Sequence, residues 1–263
     1  MIVDYILIFV IGAIIGSFLN VCIYRIPRGL SIIRPSSYCP SCGKPIRFYD
    51  NIPIISYLIL QGRCRLCKAK ISFKYPLVEF LNALGYAVTL WKFNPLTSMF
   101  FAWPSLIVYL CFVSSLIIIT FVDLEHQIIP DRITLPGIPL ALLFGSTILP
   151  DPFLRSTFLG FKSSLIGLLL GGGLFYLVAV LSRGGMGGGD IKLMAMVGAL
   201  LGWKGALFAT FFGSLTGAIV GIYLMIFKGK GRKSKIPFGP FLAFGAILSL
   251  FFGQEILYLY RAI

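Results

Sequence analysis

The sequence predicts an all-α polytopic membrane protein of about eight transmembrane helices, with one small cytoplasmic zinc-binding loop module. Three observations predict it. The 263-residue chain is 58% hydrophobic with a mean hydropathy of +0.93, and a soluble domain would expose far too much of that apolar surface. The apolar residues gather in eight runs, roughly 5–23, 76–91, 103–122, 133–150, 163–181, 191–203, 205–227 and 238–252. The one long polar stretch, 25–75, is basic and cysteine-rich, unlike the rest of the chain.

The elements follow in order. Run 5–23 lacks a basic leading region and a small-residue cleavage site, so it reads as a retained membrane helix within a first segment, 1–24. Residues 25–75 form the module, and 76–263 the main membrane domain. Runs 76–91 and 191–203 are short for a crossing of about 20 residues. They are tilted, extended into flanking polar residues, or shielded by neighbours.

The net charge of +14 has two explanations. One is nucleic acid, and the other is the enrichment of Lys and Arg on the cytoplasmic side, facing anionic lipid. The distribution favours the second. Ten of the 23 Lys and Arg lie within 25–74, five lie within 228–235, and with an even number of crossings these loops share a side. Adding Arg132, Arg183 and Lys192 places 18 on that side and five on the other. The prediction is both termini outside, the module in the cytoplasm, the bilayer as partner, and no nucleic acid.

The chain has six Asp and three Glu. A carboxylate at a membrane boundary is costly to desolvate, and Asp123 and Asp190 both sit at such boundaries. The topology drawn from the basic residues puts them at the same depth on the cytoplasmic face. Paired carboxylates sharing a proton activate water for attack on a peptide bond, so the pair is the candidate catalytic dyad of an intramembrane aspartic protease. After Asp123, Pro130 stops the helix and opens the backbone. Glu125 and Asp131 read as helix-end charges in contact with water, and His126, the single histidine, as a surface or packing residue. Asp190 follows the glycine run 184–189, whose freedom in φ and close backbone approach suit an extended peptide. Gly187, Gly188, Gly189 and Lys192 are therefore candidate substrate-loop residues. A phosphate site fits poorly, because no Walker-type ending follows and an aspartate at the helix start repels an anion.

Cys39-Pro-Ser-Cys42 and Cys64-Arg-Leu-Cys67 have the spacing of a four-thiolate tetrahedral zinc site, with Gly43 and Gly62 permitting tight turns. Two disulfides or free thiols are the alternatives, and a reducing cytoplasm disfavours the disulfides. The predicted zinc is structural.

With these residues in hand, the chain resembles the bacterial type 4 prepilin peptidases, an aspartic membrane protease family with a GxGD-type second motif. The likeness runs through Gly16-Ser17-Phe18-Leu19-Asn20-Val21 and Tyr24-Arg25-Ile26-Pro27, then the two CxxC pairs with Asp50-Asn51-Ile52-Pro53 between them. It continues through Tyr75-Pro76-Leu77-Val78-Glu79, Asp123 to Asp131, Gly187-Gly188-Gly189-Asp190-Ile191-Lys192-Leu193 and Pro237-Phe238-Gly239-Pro240-Phe241. Glu125 departs from the aspartate many members carry there. The resemblance implies two activities: removal of the basic leader of prepilins and pseudopilins after a glycine, and N-methylation of the exposed residue, usually Phe, from S-adenosylmethionine. It makes 25–75 the methyltransferase-associated region and 76–263 the peptidase domain. Glu79, Asn20 and Arg25 are candidates for the methylation site, or else packing and interface anchors. A proton or cation transporter, and a membrane-held zinc-ribbon interaction protein, are the competing readings from other classes.

Overall fold

Every apolar run folds as helix, because in lipid a segment must satisfy its backbone hydrogen bonds internally. The computed structural model describes residues 2–94, 103–154, 157–183, 185–228 and 236–262. Its helices are α1 (Ile2–Arg25), a 3-10 turn (Phe48–Asn51), α2 (Ile55–Ile59), α3 (Lys74–Lys92), α4 (Trp103–His126), α5 (Asp131–Thr147), α6 (Gly160–Leu181), α7 (Gly188–Lys228) and α8 (Gly239–Ala262). Extended pairing among the described residues is limited to isolated bridges, two of them inside the cysteine module.

Five helices, α1, α4, α6, α7 and α8, are long and apolar enough to cross a membrane. The short run 76–91 is extended to 19 residues as α3 by taking in the polar Lys74 and Lys92. Runs 191–203 and 205–227 form two helical stretches that meet end to end at a kink at Gly202, with φ 74° and ψ −179°, and together make up α7. Most of the expected basic loop, 229–235, together with Arg155 and Gly184, lies outside the described residues. Large apolar side chains such as Phe161, Leu169 and Tyr176 on α6 and Phe211, Ile222 and Phe227 on α7 are exposed, a surface suited to lipid rather than water.

The chain divides into two compact units. The first holds Met1–Phe93 with Tyr109–Ile118, and the second Asn94–Val108 with Ile119–Ile263. In the first, α1 lies directly against α3: a Cβ on Gly16 would sit 2.6 Å from Glu79 Cα, so only glycine permits this approach. Asn82, fully buried, donates to Gly12 O at 2.7 Å and accepts from Ser114 Oγ at 2.9 Å, and Ser114 in turn bonds Tyr86. This chain of polar partners fixes the register of α1, α3 and the 109–118 stretch, since an unpaired buried amide is costly.

In the second unit, α6 and α7 touch backbone to backbone. A Cβ on Gly198 would meet Gly167 O at 2.0 Å, and Ser164 Oγ donates to Ala199 O beside that contact. The same α7 packs on α5 and α8. It is therefore the central helix of this unit, and its first turn carries Asp190.

Candidate functional site

Asp123 lies in the last turn of α4 and is 5% exposed. Its Oδ2 accepts the backbone N–H of Gly239, the first residue of α8, at 2.8 Å. The positive end of a helix thus points at the carboxylate. A side chain on Gly239 would collide with this arrangement, with its Cβ 2.8 Å from Asp123 Oδ2 and 3.3 Å from Ile129 Cδ1. Asp190 stands in the first turn of α7, directly after Gly189, which packs on the same Ile129 side chain as Gly239 does. Ile129, on the loop that follows α4, links the two elements: it lies against Gly239, whose N–H holds Asp123, and against Gly189, whose Cβ would sit 2.7 Å from Ile129 Cβ.

The second unit therefore brings Asp123 and Asp190 together, although 67 residues separate them in the chain. The glycine run works differently from the expectation. Among the described residues, Gly185 to Gly189 have no positive φ, so conformational freedom is not what they supply. Gly189 is needed for close approach, Gly187 would bring a Cβ to 3.3 Å from Asp190 Oδ2, and the space beside Gly188 is open. Lys192 does not reach into the pair. Its Nζ binds both oxygens of Asp131 at 2.7 and 2.9 Å, linking α7 to the start of α5. His126 keeps a buried Nε2 without a hydrogen-bond partner. Sequence reasoning missed Gly239 and Ile129 as site residues. The Gly-Pro at the start of the last apolar run was the available signal, since it marks a helix N-terminus whose N–H groups are free for an anion.

In the first unit, the four cysteine Sγ atoms of Cys39, Cys42, Cys64 and Cys67 all lie within 4.8 Å of one another. Tetrahedral zinc at Zn–S of about 2.3 Å demands S···S near 3.8 Å, and Cys39 Sγ and Cys67 Sγ are 3.8 Å apart. The two halves of the cluster repeat one turn. Cys39 N–H donates to Lys44 O and Gly43 N–H to Cys39 O, while Cys64 N–H donates to Ala69 O and Lys68 N–H to Cys64 O. Gly43 and Lys68 occupy equivalent places, with φ of 69° and 59°. Gly62, with φ of 64°, makes the turn just before Cys64, and any side chain there would strike the Tyr57 ring. The N–H groups of Cys67 and Leu66 hold the Cys64 thiol down to about 7, so a thiolate ligand is available near neutrality. The donor set and spacing fit zinc.

Beside this cluster the first unit holds a half-open cavity of ≈ 410 Å³ whose walls include Asn20, Tyr24, Arg25, Tyr38, Tyr57 and Glu79. The three methylation candidates thus face one space. Glu79, 8% exposed, accepts the Ile54 N–H at 2.7 Å. Asn20, 5% exposed, donates to Tyr75 O at 3.0 Å and leaves its buried Oδ1 without a partner. Arg25 is committed to the backbone, binding Ser31 O at 3.0 Å and Pro35 O at 2.8 Å, and so clamps the loop that leaves α1. Asp50 on the cavity wall is held by Arg65 through a bidentate pair.

Comparison with known proteins adds the family. Residues 10–93 match the bacterial peptidase A24 N-terminal domain, and residues 110–222 match the type IV leader peptidase family. The chain is 34% identical to a prepilin leader peptidase/N-methyltransferase of Pseudomonas putida, over 94% of this chain and 90% of that protein. It is 34% identical to the protein of the same name from Bacillus subtilis (strain 168), over 97% and 96% of the two chains. It is 35% identical to that of Neisseria gonorrhoeae, over 89% and 85%. No solved structure matches. With residues of both matched regions lining the two candidate sites, and relatives of this similarity along almost the full length, the chain belongs to the type IV leader peptidase family.

Proposed function

We propose that this membrane enzyme removes the basic leader of type 4 prepilins and pseudopilins with the dyad Asp123 and Asp190, and then N-methylates the new amino terminus. The observation that carries the peptidase half is the meeting of the two aspartates within one unit, with Gly239 N–H fixing one oxygen of Asp123. That bond leaves Oδ1 of Asp123 and the carboxyl of Asp190 to share a proton across a bound water. One carboxylate takes a proton from the water, which attacks the scissile carbonyl. The other donates a hydrogen bond to the carbonyl oxygen as it gains charge, and the leaving amine departs protonated. The open space beside Gly188 provides room for an extended backbone, which an intact substrate helix lacks.

The active site belongs to the cytoplasmic face of a bacterial inner membrane crossed by about eight helical segments, because 18 of 23 basic residues fall on that side. A prepilin fits this setting: its basic leader stays in the cytoplasm and its apolar helix lies in the bilayer, presenting the junction at the interface. The four cysteines hold a structural zinc, which closes the module where no large core exists.

The cavity of the first unit suits S-adenosylmethionine: its ≈ 410 Å³ lies within the roughly 300–1,000 Å³ of small-molecule sites. Tyr24, Tyr38 and Tyr57 offer aromatic faces to a purine, and Glu79 and Asn20 offer buried acceptors. When bound, the donor supplies an electrophilic methyl group on a sulfonium. The residues of the chain orient the partners.

The test is a nanodisc assay of wild type and Asp190→Asn on a prepilin-like peptide, read by mass spectrometry with and without S-adenosylmethionine. Leader loss in wild type alone, with a methyl group added only when donor is present, is the expected result. Leader loss in Asp190→Asn would overturn the dyad.

A further inference from the structure

Two carboxylates line the cavity of the first unit among the described residues, Asp50 and Glu79. Asp50 is neutralised by Arg65. Glu79 is not: its contacts are the neutral Ile54 N–H and the Ser17 hydroxyl, and among the described residues no cation pairs with it. One turn away on the facing helix stands Asn20. The geometry is tight, since Gly16 packs on Glu79 Cα while Asn20 Nδ2 binds Tyr75 O, one turn before Glu79 on α3. The Oδ1 of Asn20 is left buried and unpaired. A buried carboxylate without a cation and a buried carbonyl without a donor both call for a ligand.

We propose that Glu79 and Asn20 form the subsite for the substrate's α-amino group, with Glu79 as the base that takes its proton. The inference rests on the reading of this cavity as the methylation site. The ligand must carry positive charge for Glu79 and N–H donors for Asn20. A sulfonium has the charge but no N–H, whereas an α-ammonium has both. The chemistry demands the same arrangement. A protonated amine has no lone pair, so one N–H proton passes to a Glu79 carboxylate oxygen. The freed lone pair then forms the N–C bond as the S–CH3 bond of the donor breaks, its electrons remaining on sulfur to give a neutral thioether. Asn20 Oδ1 accepts a second N–H and turns the lone pair toward the methyl group. Glu79 touches the reacting nitrogen and is a catalytic residue in this scheme; Asn20 holds it in line.

The donor's own amino group is the other source of such a cation, and the experiment separates the two. The full chain in nanodiscs, as wild type, Glu79→Gln and Asn20→Ala, is titrated with S-adenosylhomocysteine. Without donor it is titrated with a leaderless peptide bearing a free N-terminal Phe, and with the same peptide N-acetylated. Thermal unfolding reports folding of each variant. The proposal expects Glu79→Gln to bind S-adenosylhomocysteine within about twofold of wild type and to lose the preference for the free amine. Methylation of the free peptide should fall about 100-fold or more, as for removal of a general base. The residual rate should climb tenfold per pH unit until the amine is neutral near pH 8. Asn20→Ala should raise the KM for peptide more than it lowers kcat. Loss of S-adenosylhomocysteine binding in Glu79→Gln would give the carboxylate to the donor and overturn the proposal, as would an unchanged rate and pH profile. A wild type that binds no S-adenosylhomocysteine would instead overturn the methylation reading of the cavity. Should Glu79→Gln unfold, Glu79→Asp decides: retained free-amine preference with a slowed rate supports the proposal, and lost donor binding overturns it.

Discussion

Replacing Gly239 with alanine tests the dyad more sharply than removing an aspartate. The new Cβ would lie 2.8 Å from Asp123 Oδ2 and 3.2 Å from its carboxyl carbon. Backbone does not block it, since Gly239 has no positive φ and alanine favours a helix start no less than glycine does. The strain is relieved by rotating the Asp123 carboxyl away, which breaks the 2.8 Å bond from Gly239 N–H. A hydrogen bond to a charged group contributes about 1.5–3 kcal/mol. At about 1.4 kcal/mol per decade, its loss in the transition state lowers kcat/KM roughly 10- to 150-fold. Folding should suffer little, because a short side chain rather than backbone absorbs the clash. The assay is leader cleavage in nanodiscs beside a thermal unfolding curve, with Gly173→Ala, which meets nothing within 4 Å, as the control. Wild-type kcat/KM in Gly239→Ala, or activity lost only in step with folded protein, would refute the geometry argued for Asp123.

Other outcomes follow from the same coordinates. Asp123→Asn and Asp190→Asn should each lower cleavage by about a thousandfold or more while the protein still inserts, as read by peptide mass spectrometry. Lys192→Met should slow cleavage less than about fivefold, because its ion pair with Asp131 is solvent-exposed and such pairs contribute about 0–1 kcal/mol. Gly167→Ala should destabilise the second unit by about 1–3 kcal/mol, seen as a lower unfolding temperature, since its Cβ would meet Gly198 O at 2.1 Å. Zinc should leave to a coloured chelator faster as pH falls. Protons compete with a metal for the thiolates of Cys39, Cys42, Cys64 and Cys67, so falling pH favours release. Release that is independent of pH between 8 and 5 would contradict this.

Much of the site was legible because its parts are local in sequence. Two CxxC pairs declare a tetrathiolate cluster, since the ligand spacing is set by a single tight turn. Asp123 and Asp190 stand out because carboxylates at apolar boundaries are rare and costly. Helix lengths were less legible. Hydropathy shows where apolar residues stop, yet the helix of run 76–91 continues through Lys74 and Lys92, while the break between 191–203 and 205–227 falls at Gly202, whose φ of 74° and ψ of −179° leave the helical range.

The sequence by itself thus determined the all-helical membrane character and the cysteine cluster, and it singled out Asp123 and Asp190 as the candidate pair, since each depends on composition or on spacing within a turn or two. Only the tertiary structure decided which partners meet them. Gly239 reaches Asp123 across 116 residues of chain, and Ile129 separates Gly189 from Gly239. Lys192 is drawn to Asp131, and Asn20 meets the Tyr75–Glu79 turn because Gly16 lets two helices touch. Such contacts rest on helix packing at backbone distance, which no local pattern of residues encodes.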